Sequence, residues 1–215
     1  TFRHFSMEDG LPDNSVFSIL EDDFGNLWFS TDNGLCKFNH HDQLYKTFNV
    51  HDGLQSNKFT LNAACKCSNG LFYFGSVNGL LVFYPQKTDR NMHIPPIAIT
   101  DMKIKGATQL PGTSGPLQQA ITETNQINLK HHQNSFSFEF VALDLTAPLK
   151  NRYAYQLKGL EADWHYTSAD RRYVNYTELK PGKYVFQVKG SNNDGIWNEK
   201  GAFVSITVSP PFWQT

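Results

Sequence analysis

The feature that most constrains the fold is a phrase that occurs twice in the chain. Residues 25–39 read GNLWFSTDNGLCKFN, and residues 70–84 read GLFYFGSVNGLLVFY. Both copies open on a glycine, carry an aromatic residue in their middle (Trp28 and Tyr73) and end on a Leu…Phe pattern. Short strands that recur every ~40 to 50 residues are typical of propeller blades, which have about four strands each. The repeat therefore predicts two blades.

Each copy also contains an Asn-Gly step, which ends at Gly34 in the first unit and at Gly79 in the second. Because Asn-Gly accommodates two positive φ angles, we expect a type I′ hairpin turn at both places. The first unit divides into four strands and the second into three, since Pro85 interrupts the pattern. Residues 1–6 match the fourth strand of a preceding blade, so the two blades are predicted to come from the end of a larger propeller.

After Pro85 the repeat stops and the pattern changes. Residues 86–96 form a polar, proline-ended stretch that is predicted to be a linker. Beyond it, apolar and polar residues alternate in several segments, and no helical period appears. About seven such strands suggest an immunoglobulin-like or fibronectin-like sandwich. The predicted class is all-β: the last two blades of a β-propeller over 1–85, then a β-sandwich over 97–215.

One local phrase sharpens the prediction of a sandwich. LKPGKY at residues 179–184 resembles the tyrosine corner of fibronectin-type domains, with a Pro181-Gly182 turn leading into Tyr184. In a tyrosine corner the tyrosine hydroxyl hydrogen-bonds a nearby backbone group. Trp164 is predicted to be a central core residue of the same sandwich.

Composition and motifs give little sign of chemistry. The net charge is -1 and 18% of the residues are charged, so no basic surface favours nucleic acid. No nucleophile motif, phosphate-binding loop or paired-acid motif is present, and no cofactor or metal is predicted. Cys36, Cys65 and Cys67 are interpreted as buried free thiols, with a metal site or a disulfide as the alternative.

Two further alternatives remain open at this point. Asp22, Asp23 and Asn26 could supply oxygen ligands to calcium, but a hairpin turn explains them better. Trp28 and Tyr73 could stack on a sugar, but their mid-strand positions favour a role in the blade core. No residue is assigned to a ligand.

The chain resembles a known family in two places. Residues 9–39, DGLPDNSVFSILEDDFGNLWFSTDNGLCKFN, resemble the propeller repeats of two-component regulators. Residues 151–164 and 171–198, which include Tyr176 and Trp197, resemble the tyrosine-rich Y_Y_Y domain that follows those propellers. The order of the two modules also fits.

The resemblance implies the periplasmic sensor region of a Bacteroidetes hybrid two-component system. In that family a membrane helix follows the Y_Y_Y domain, a histidine kinase lies beyond the membrane, and glycan fragments are the usual signal. The fragment is then not an enzyme, and the full-length protein is a dimer. Pro211, Phe212 and Trp213 would lie at the membrane surface or between subunits. The alternative function is a secreted carbohydrate-active propeller enzyme, or a carbohydrate-binding module, with an accessory sandwich.

Overall fold

The structure is a computed structural model that describes residues 4–39, 43–88, 90–112 and 115–211. The chain divides into two compact units, Thr1–Arg90 and Asn91–Thr215, and the boundary lies inside the stretch predicted to be a linker. Within the described ranges, secondary structure consists of β-strands and single-turn 3-10 helices, so the all-β class is confirmed. The 3-10 helices are Met7–Asp9, Val50–Asp52, Pro85–Lys87, Ile121–Glu123, His131–Gln133 and Pro148–Lys150.

The first unit contains two antiparallel sheets that follow each other along the chain. The four-stranded sheet has the order β1 (Val16–Glu21), β2 (Leu27–Thr31), β3 (Gly34–Asn39) and β4 (Leu44–Phe48). The three-stranded sheet has the order β5 (Phe59–Lys66), β6 (Phe72–Ser76) and β7 (Gly79–Phe83). Each sheet is a meander of neighbouring strands, as in a propeller blade, and the second sheet ends just before Pro85.

A second repeated phrase, Asp-Gly-Leu at residues 9–11 and again at 52–54, builds the turn that precedes each blade. In both copies it closes a 3-10 helix that carries a capping box, formed by Ser6 with Asp9 and by Asn49 with Asp52. The asparagine that follows accepts a hydrogen bond from the first backbone N–H of that helix, at 2.9 Å for Asn14 and at 2.8 Å for its counterpart in the second unit. This part of the repeat is therefore local architecture.

The hairpin turns differ from the predicted type I′ geometry. Asn33 does not take a positive φ; only Gly34 does, at 113°. The Thr31 hydroxyl donates to the Gly34 carbonyl oxygen at 2.7 Å and accepts from the Asn33 N–H at 3.1 Å, so the side chain closes the turn instead. A Cβ at Gly34 would also lie 2.5 Å from the Phe48 carbonyl oxygen, which excludes any other residue.

The second unit is a sandwich of two sheets. One sheet has the order β14 (Tyr173–Tyr176), β11 (Phe136–Ala142), β8 (Ile97–Ile104) and β9 (Ala107–Thr108). The other has the order β10 (Gln126–Leu129), β16 (Trp197–Val208), β15 (Gly182–Ser191), β12 (Arg152–Lys158) and β13 (His165–Ser168). β10 and β16 are parallel, and the remaining pairs are antiparallel.

The core of the sandwich is made by the alternating residues that the sequence indicated. Phe136, Phe138 and Phe140 of β11 are all buried, and the Phe138 ring stacks on Phe186 with 4.8 Å between centroids. Burying each aromatic side chain stabilises the unit by about 1.5 to 3 kcal/mol through the removal of apolar surface from water. The core positions lie on alternate residues because successive side chains of a strand face opposite sides of its sheet.

Candidate functional site

Asp22 is the most heavily hydrogen-bonded carboxylate of the first unit. It is only 4% exposed, and it sits in the turn between β1 and β2. Its Oδ2 accepts from the Trp28 indole N–H at 3.0 Å, and the Asn26 side-chain amide donates to both carboxylate oxygens at 2.9 and 3.1 Å. The backbone N–H groups of Phe24 and Asn26 donate to Oδ1 at 3.0 and 2.9 Å.

These bonds determine the ionisation state of the Asp22 carboxyl group. Burial alone would raise its pKa, but the hydrogen bonds from Trp28, Asn26 and Phe24 outweigh that effect and hold the pKa below its usual value. The carboxylate therefore stays ionised and fixes the Trp28 ring in the blade. Sequence reasoning considered Asp22 and Asn26 as calcium ligands or turn residues and missed the bond to Trp28.

The second blade lacks this arrangement. Cys67 takes the place of Asp22, and the turn keeps the two backbone bonds, from the Cys67 N–H to the Leu71 carbonyl oxygen and from the Gly70 N–H to the Cys67 carbonyl oxygen. The Leu71 N–H donates to Asn69 Oδ1 at 3.1 Å. The prediction that all three cysteines are buried is wrong, because Cys65 is exposed while Cys36 is buried. Cys65 pairs with Tyr73 in the register of β5 and β6, so the two side chains share a face of the sheet.

The two aromatic residues at equivalent repeat positions have different surroundings. Trp28 is fully buried and packs between the Phe48 and Phe83 rings, with centroids 5.6 and 5.0 Å away. Tyr73 is only half-buried, which corrects the prediction that both lie in the blade core. Its neighbours on the same face of the second sheet, Leu80 and Val82, are exposed.

A groove of about 250 Å³ lies beside that face, between β7 and the loop that precedes β5. Leu80, Leu81 and Val82 line one side, and Gly53 and Leu54 line the other. In the first blade the corresponding place is filled by β4. Among the described residues, no strand pairs with the outer edge of β7, which begins at Gly79 and corresponds to the edge of β3 that β4 occupies in the first blade.

Asn91, in the second half of the predicted linker, makes several hydrogen bonds to loops of the second unit. Its backbone N–H donates to Asp194 Oδ2 at 2.6 Å, and its side-chain amide donates to Asp144 Oδ2 and Asn193 Oδ1, both at 2.9 Å. In return, the Asn192 side-chain amide donates to the carbonyl oxygens of Asn91 and His93 at 2.7 and 2.8 Å. We call this set of bonds the Asn91 clasp.

The clasp gives a role to residues that the sequence left without one. Asp144, for which the sequence indicates no partner, is 4% exposed and accepts from Asn91 and from the Thr146 N–H. Burial alone would raise the pKa of Asp144, but these bonds, with a smaller effect of His93, lower it. The turn at Asn192 is held by its own Oδ1, which accepts from the backbone N–H groups of Asp194 and Ile196.

The tyrosine-corner residues lie where the resemblance placed them. The Tyr184 hydroxyl donates to the Lys180 carbonyl oxygen at 2.9 Å, which is the bond that defines such a corner. Pro181 is exposed in the turn, and Gly182 begins β15. Tyr176 is buried.

Glu161 ties a loop of the sandwich to two of its strands. Its Oε2 accepts from the Leu157 N–H at 2.6 Å and from the Tyr176 hydroxyl at 3.2 Å. Burial and the nearby Glu161 carboxylate raise the pKa of Tyr176 well above its usual value, so the hydroxyl stays protonated and donates. Asp144 and Glu161 are therefore both engaged by structural donors.

Trp164 is not a central core residue, and that prediction is wrong. It is half-buried at the surface, with the Lys189 ammonium group 4.9 Å from its ring centroid. The same ammonium group lies 5.6 Å from the ring of Trp197, which meets the exposed Tyr166 edge to face. The indole rings hold a cation rather than filling the interior, because Trp164 lies in the loop before a short edge strand.

The predicted membrane-proximal residues are only partly described. Pro211 is half-buried at the end of the described chain, and Phe212 and Trp213 lie outside the described residues. Among the residues that the structure describes, there is no helix of the length and apolarity that crossing a bilayer requires. In the same residues, no three His, Cys, Asp or Glu side chains come together as metal ligands would.

Two families match the chain in the order expected from the sequence. The two component regulator propeller matches residues 10–33, within the first blade. The Y_Y_Y domain matches residues 144–209, which cover most of the sandwich. Of the curated proteins, Histidine kinase P4 of Formosa agariphila is 36% identical over the whole of this chain, which spans 16% of that protein.

Solved structures give the same picture. The extracellular domain of the hybrid two-component system BT3049 of B. thetaiotaomicron aligns with 96% of this chain at 32% identity and a TM-score of 0.80. The extracellular domain of BT4673 from the same organism aligns with 92% at 24% identity and a TM-score of 0.53, which supports the fold alone. The chain spans 28% and 26% of those two domains, respectively.

Proposed function

The chain belongs to the extracellular sensor regions of hybrid two-component systems, with a regulator propeller before a Y_Y_Y domain, and from that premise we propose that it helps to detect oligosaccharides. The observation that carries the proposal is the likeness to the extracellular domain of BT3049 along 96% of the chain. That likeness is to a sensor region and favours sensing over catalysis. It gives no support to the alternative of a secreted carbohydrate-active enzyme.

In this proposal the two units divide the work. Propeller loops would contact the oligosaccharide together with the rest of a larger propeller, and the sandwich would pass the change toward the membrane. The Asn91 clasp supports that division, because it fixes the first residues of the sandwich unit to two of its loops. A ligand can drive such a change only if it binds the signalling state better than the resting state.

The place of the chain in the cell follows from the same premise. We propose a periplasmic location, with a membrane helix beyond Thr215 and a histidine kinase on the other side of the membrane. Signalling would require a dimer of the full-length protein, formed in part through the sandwich. Sedimentation of the complete extracellular region should then show self-association that strengthens with ligand, and a monomer under all conditions would overturn the dimer.

Calorimetry of the complete extracellular region against a panel of oligosaccharides tests the ligand class. We expect one class of oligosaccharide to bind, with an affinity set by its sugar and linkage. The matched control is the same protein heated beyond unfolding and cooled, which should release no binding heat. Failure of every oligosaccharide to bind a folded extracellular region would overturn the proposed ligand class.

A further inference from the structure

A cleft opens on the outer face of the β14-β11-β8-β9 sheet of the sandwich. It has a volume of about 390 Å³, within the range of small-molecule sites, and it is open to solvent. Its polar lining comes from Thr100, Glu139, Asp170, Arg172 and Tyr173. None of these residues belongs to the Asn91 clasp.

An irregularity in the sheet creates the cleft. Glu139 of β11 pairs with Asp101 of β8, but the next residue, Phe140, pairs with Ile99, so Thr100 is an extra residue without a partner in the register. Such a bulge bends the strand and turns side chains to new directions. At the same step the Phe140 N–H donates to the Arg172 carbonyl oxygen at 3.0 Å, which brings the residues before β14 to the edge of the cleft.

The loop that forms one wall is held by its own bonds. The Arg171 N–H donates to the Ser168 carbonyl oxygen at 3.1 Å, and the Thr167 hydroxyl donates to the Arg171 carbonyl oxygen at 3.1 Å. The Ser168 hydroxyl also bonds the Asp170 carboxylate, and Ala169 is buried in the core. The wall is therefore preorganised, which reduces the entropy that a ligand would cost on binding.

The groups that face the cleft are largely unused. Among the described residues, the Arg172 guanidinium and the hydroxyl groups of Thr100 and Tyr173 make no hydrogen bond or ion pair. Glu139 uses Oε1 to pair with Lys103, and its other oxygen faces no described donor. The Tyr173 side chain is 62% exposed and lies on the edge strand β14, opposite Glu139 of β11.

The mixture of charges selects the class of ligand. An anion would meet Glu139 and Asp170, and a cation would meet Arg172, so neither finds a uniformly favourable field. A sugar hydroxyl can donate to a carboxylate and accept from a guanidinium at the same time. The apolar face of a sugar ring also matches the flat, exposed ring of Tyr173, which offers apolar area beside a polar hydroxyl.

We propose that this cleft is a binding site for a neutral oligosaccharide, with one sugar ring on Tyr173 and its hydroxyl groups bonded to Arg172, Glu139 and Asp170. The inference rests on the proposed function for the ligand class and adds a site in the sandwich, apart from the propeller loops. The sandwich then takes part in recognition as well as in transmission.

The test is a titration of the 215-residue chain with neutral hexasaccharides of glucose, xylose and mannose in several linkages, and with hexagalacturonate and a chitosan hexamer as charged probes. Binding is followed by backbone amide shifts in NMR spectra. We expect at least one neutral hexasaccharide to shift the amides of Thr100, Arg172 and Tyr173, and the charged probes to leave them unchanged. Tyr173→Ala and Arg172→Ala should each weaken that binding by about tenfold.

Tyr166→Ala is the matched control, because Tyr166 is 71% exposed and lies on the opposite sheet. It should leave the affinity unchanged, and both tyrosine variants should keep the dispersion of the parent spectrum. The cleft proposal is overturned if no neutral hexasaccharide binds, or if binding persists in Tyr173→Ala. If the shifts fall only in residues 4–88, the cleft fails while the proposed function stands; if the complete extracellular region also binds no oligosaccharide, both fail.

Discussion

Asp22 shows how a single carboxylate can decide the packing of a blade. Four nitrogen atoms make five hydrogen bonds to its two oxygens, and one of these atoms belongs to the indole ring at the centre of the blade core. A neutral side chain at this position would form weaker hydrogen bonds with the same donors, because a charged acceptor strengthens each bond. The role of Asp22 is thus structural, and its effect reaches the core through Trp28.

Replacing Asp22 with asparagine should destabilise the first unit. The new amide would direct N–H groups at Trp28 or Asn26 in a buried site, and the expected loss is about 1 to 3 kcal/mol of unfolding free energy. Urea denaturation of the chain measures the change. Asp32→Asn is the control, since Asp32 is exposed and should tolerate the change within about 0.5 kcal/mol. Equal stability of the two variants would contradict the role assigned to Asp22.

The same residue predicts how stability depends on pH. Because the folded-state pKa of Asp22 lies below its unfolded value, ionisation stabilises the fold above about pH 4, and this contribution is lost as the pH falls through the folded-state pKa. Asp144 acts in the same direction. Urea denaturation at pH 7, 5, 4 and 3 should therefore show a fall below about pH 4. The fall should be smaller in Asp22→Asn, and an identical fall would count against the argument.

Tyr184 allows the cleanest test of the tyrosine corner. Tyr184→Phe keeps the ring and removes only the hydroxyl that bonds the Lys180 carbonyl oxygen. The expected cost is about 1 kcal/mol, the net contribution of one hydrogen bond. Tyr166→Phe removes a hydroxyl from an exposed ring and should change the unfolding free energy by less than about 0.5 kcal/mol. If both variants are equally stable, the corner bond contributes nothing.

At the scale of strands, the sequence predicted the regular elements well. The division of the repeats into four and three strands and the alternation beyond the linker match the structure, because one buried face imposes a period of two on the sequence. The sequence missed β13 and β14, short edge strands in which Tyr166 and Tyr173 are exposed. Edge strands bury little apolar surface, so their pattern is weak.

The candidate sites were harder to predict than the strands. Trp164 looked like a core residue because large aromatic side chains usually bury most of their area, yet a cation covers its ring instead. Asn91 and Asp144 are far apart in sequence, so nothing in either local phrase indicates their bond. The cleft at Thr100 depends on a bulge, which leaves the hydrophobic alternation on either side intact.

The segment that opens the second unit gives a prediction of its own. Asn91→Ala would leave Asp144 Oδ2 without its Asn91 donor and would remove the acceptor of the His93 N–H, which should loosen the start of this segment. Hydrogen exchange of a peptide covering residues 90–96 should become faster, while exchange in β15 stays slow. Asn175→Ala, in an exposed edge strand, is the control and should change neither peptide. Unchanged exchange at residues 90–96 would mean that the clasp does not hold this segment.

At the scale of the whole molecule, repetition and asymmetry have separate meanings. The positions that the two repeats share build two blades. The positions that differ, such as Asp22 in the first blade and Cys67 in the second, distinguish the two: the core of the first blade is packed, whereas Leu80 and Val82 of the second are exposed beside the groove. The chain also represents 16% to 28% of the proteins and domains that it resembles. Its proposed job as a sensor therefore belongs to a larger assembly.

The most direct test of that job is ligand-dependent phosphorylation of the natural full-length protein in membrane vesicles. An oligosaccharide that binds the extracellular region should change the rate of phosphate incorporation, and a non-binding oligosaccharide of equal length should not. Asn91→Ala should keep ligand binding but reduce this response, because the sandwich is proposed to transmit the signal and the clasp holds its first residues. A phosphorylation rate that stays the same when the extracellular region is saturated with ligand would contradict the account.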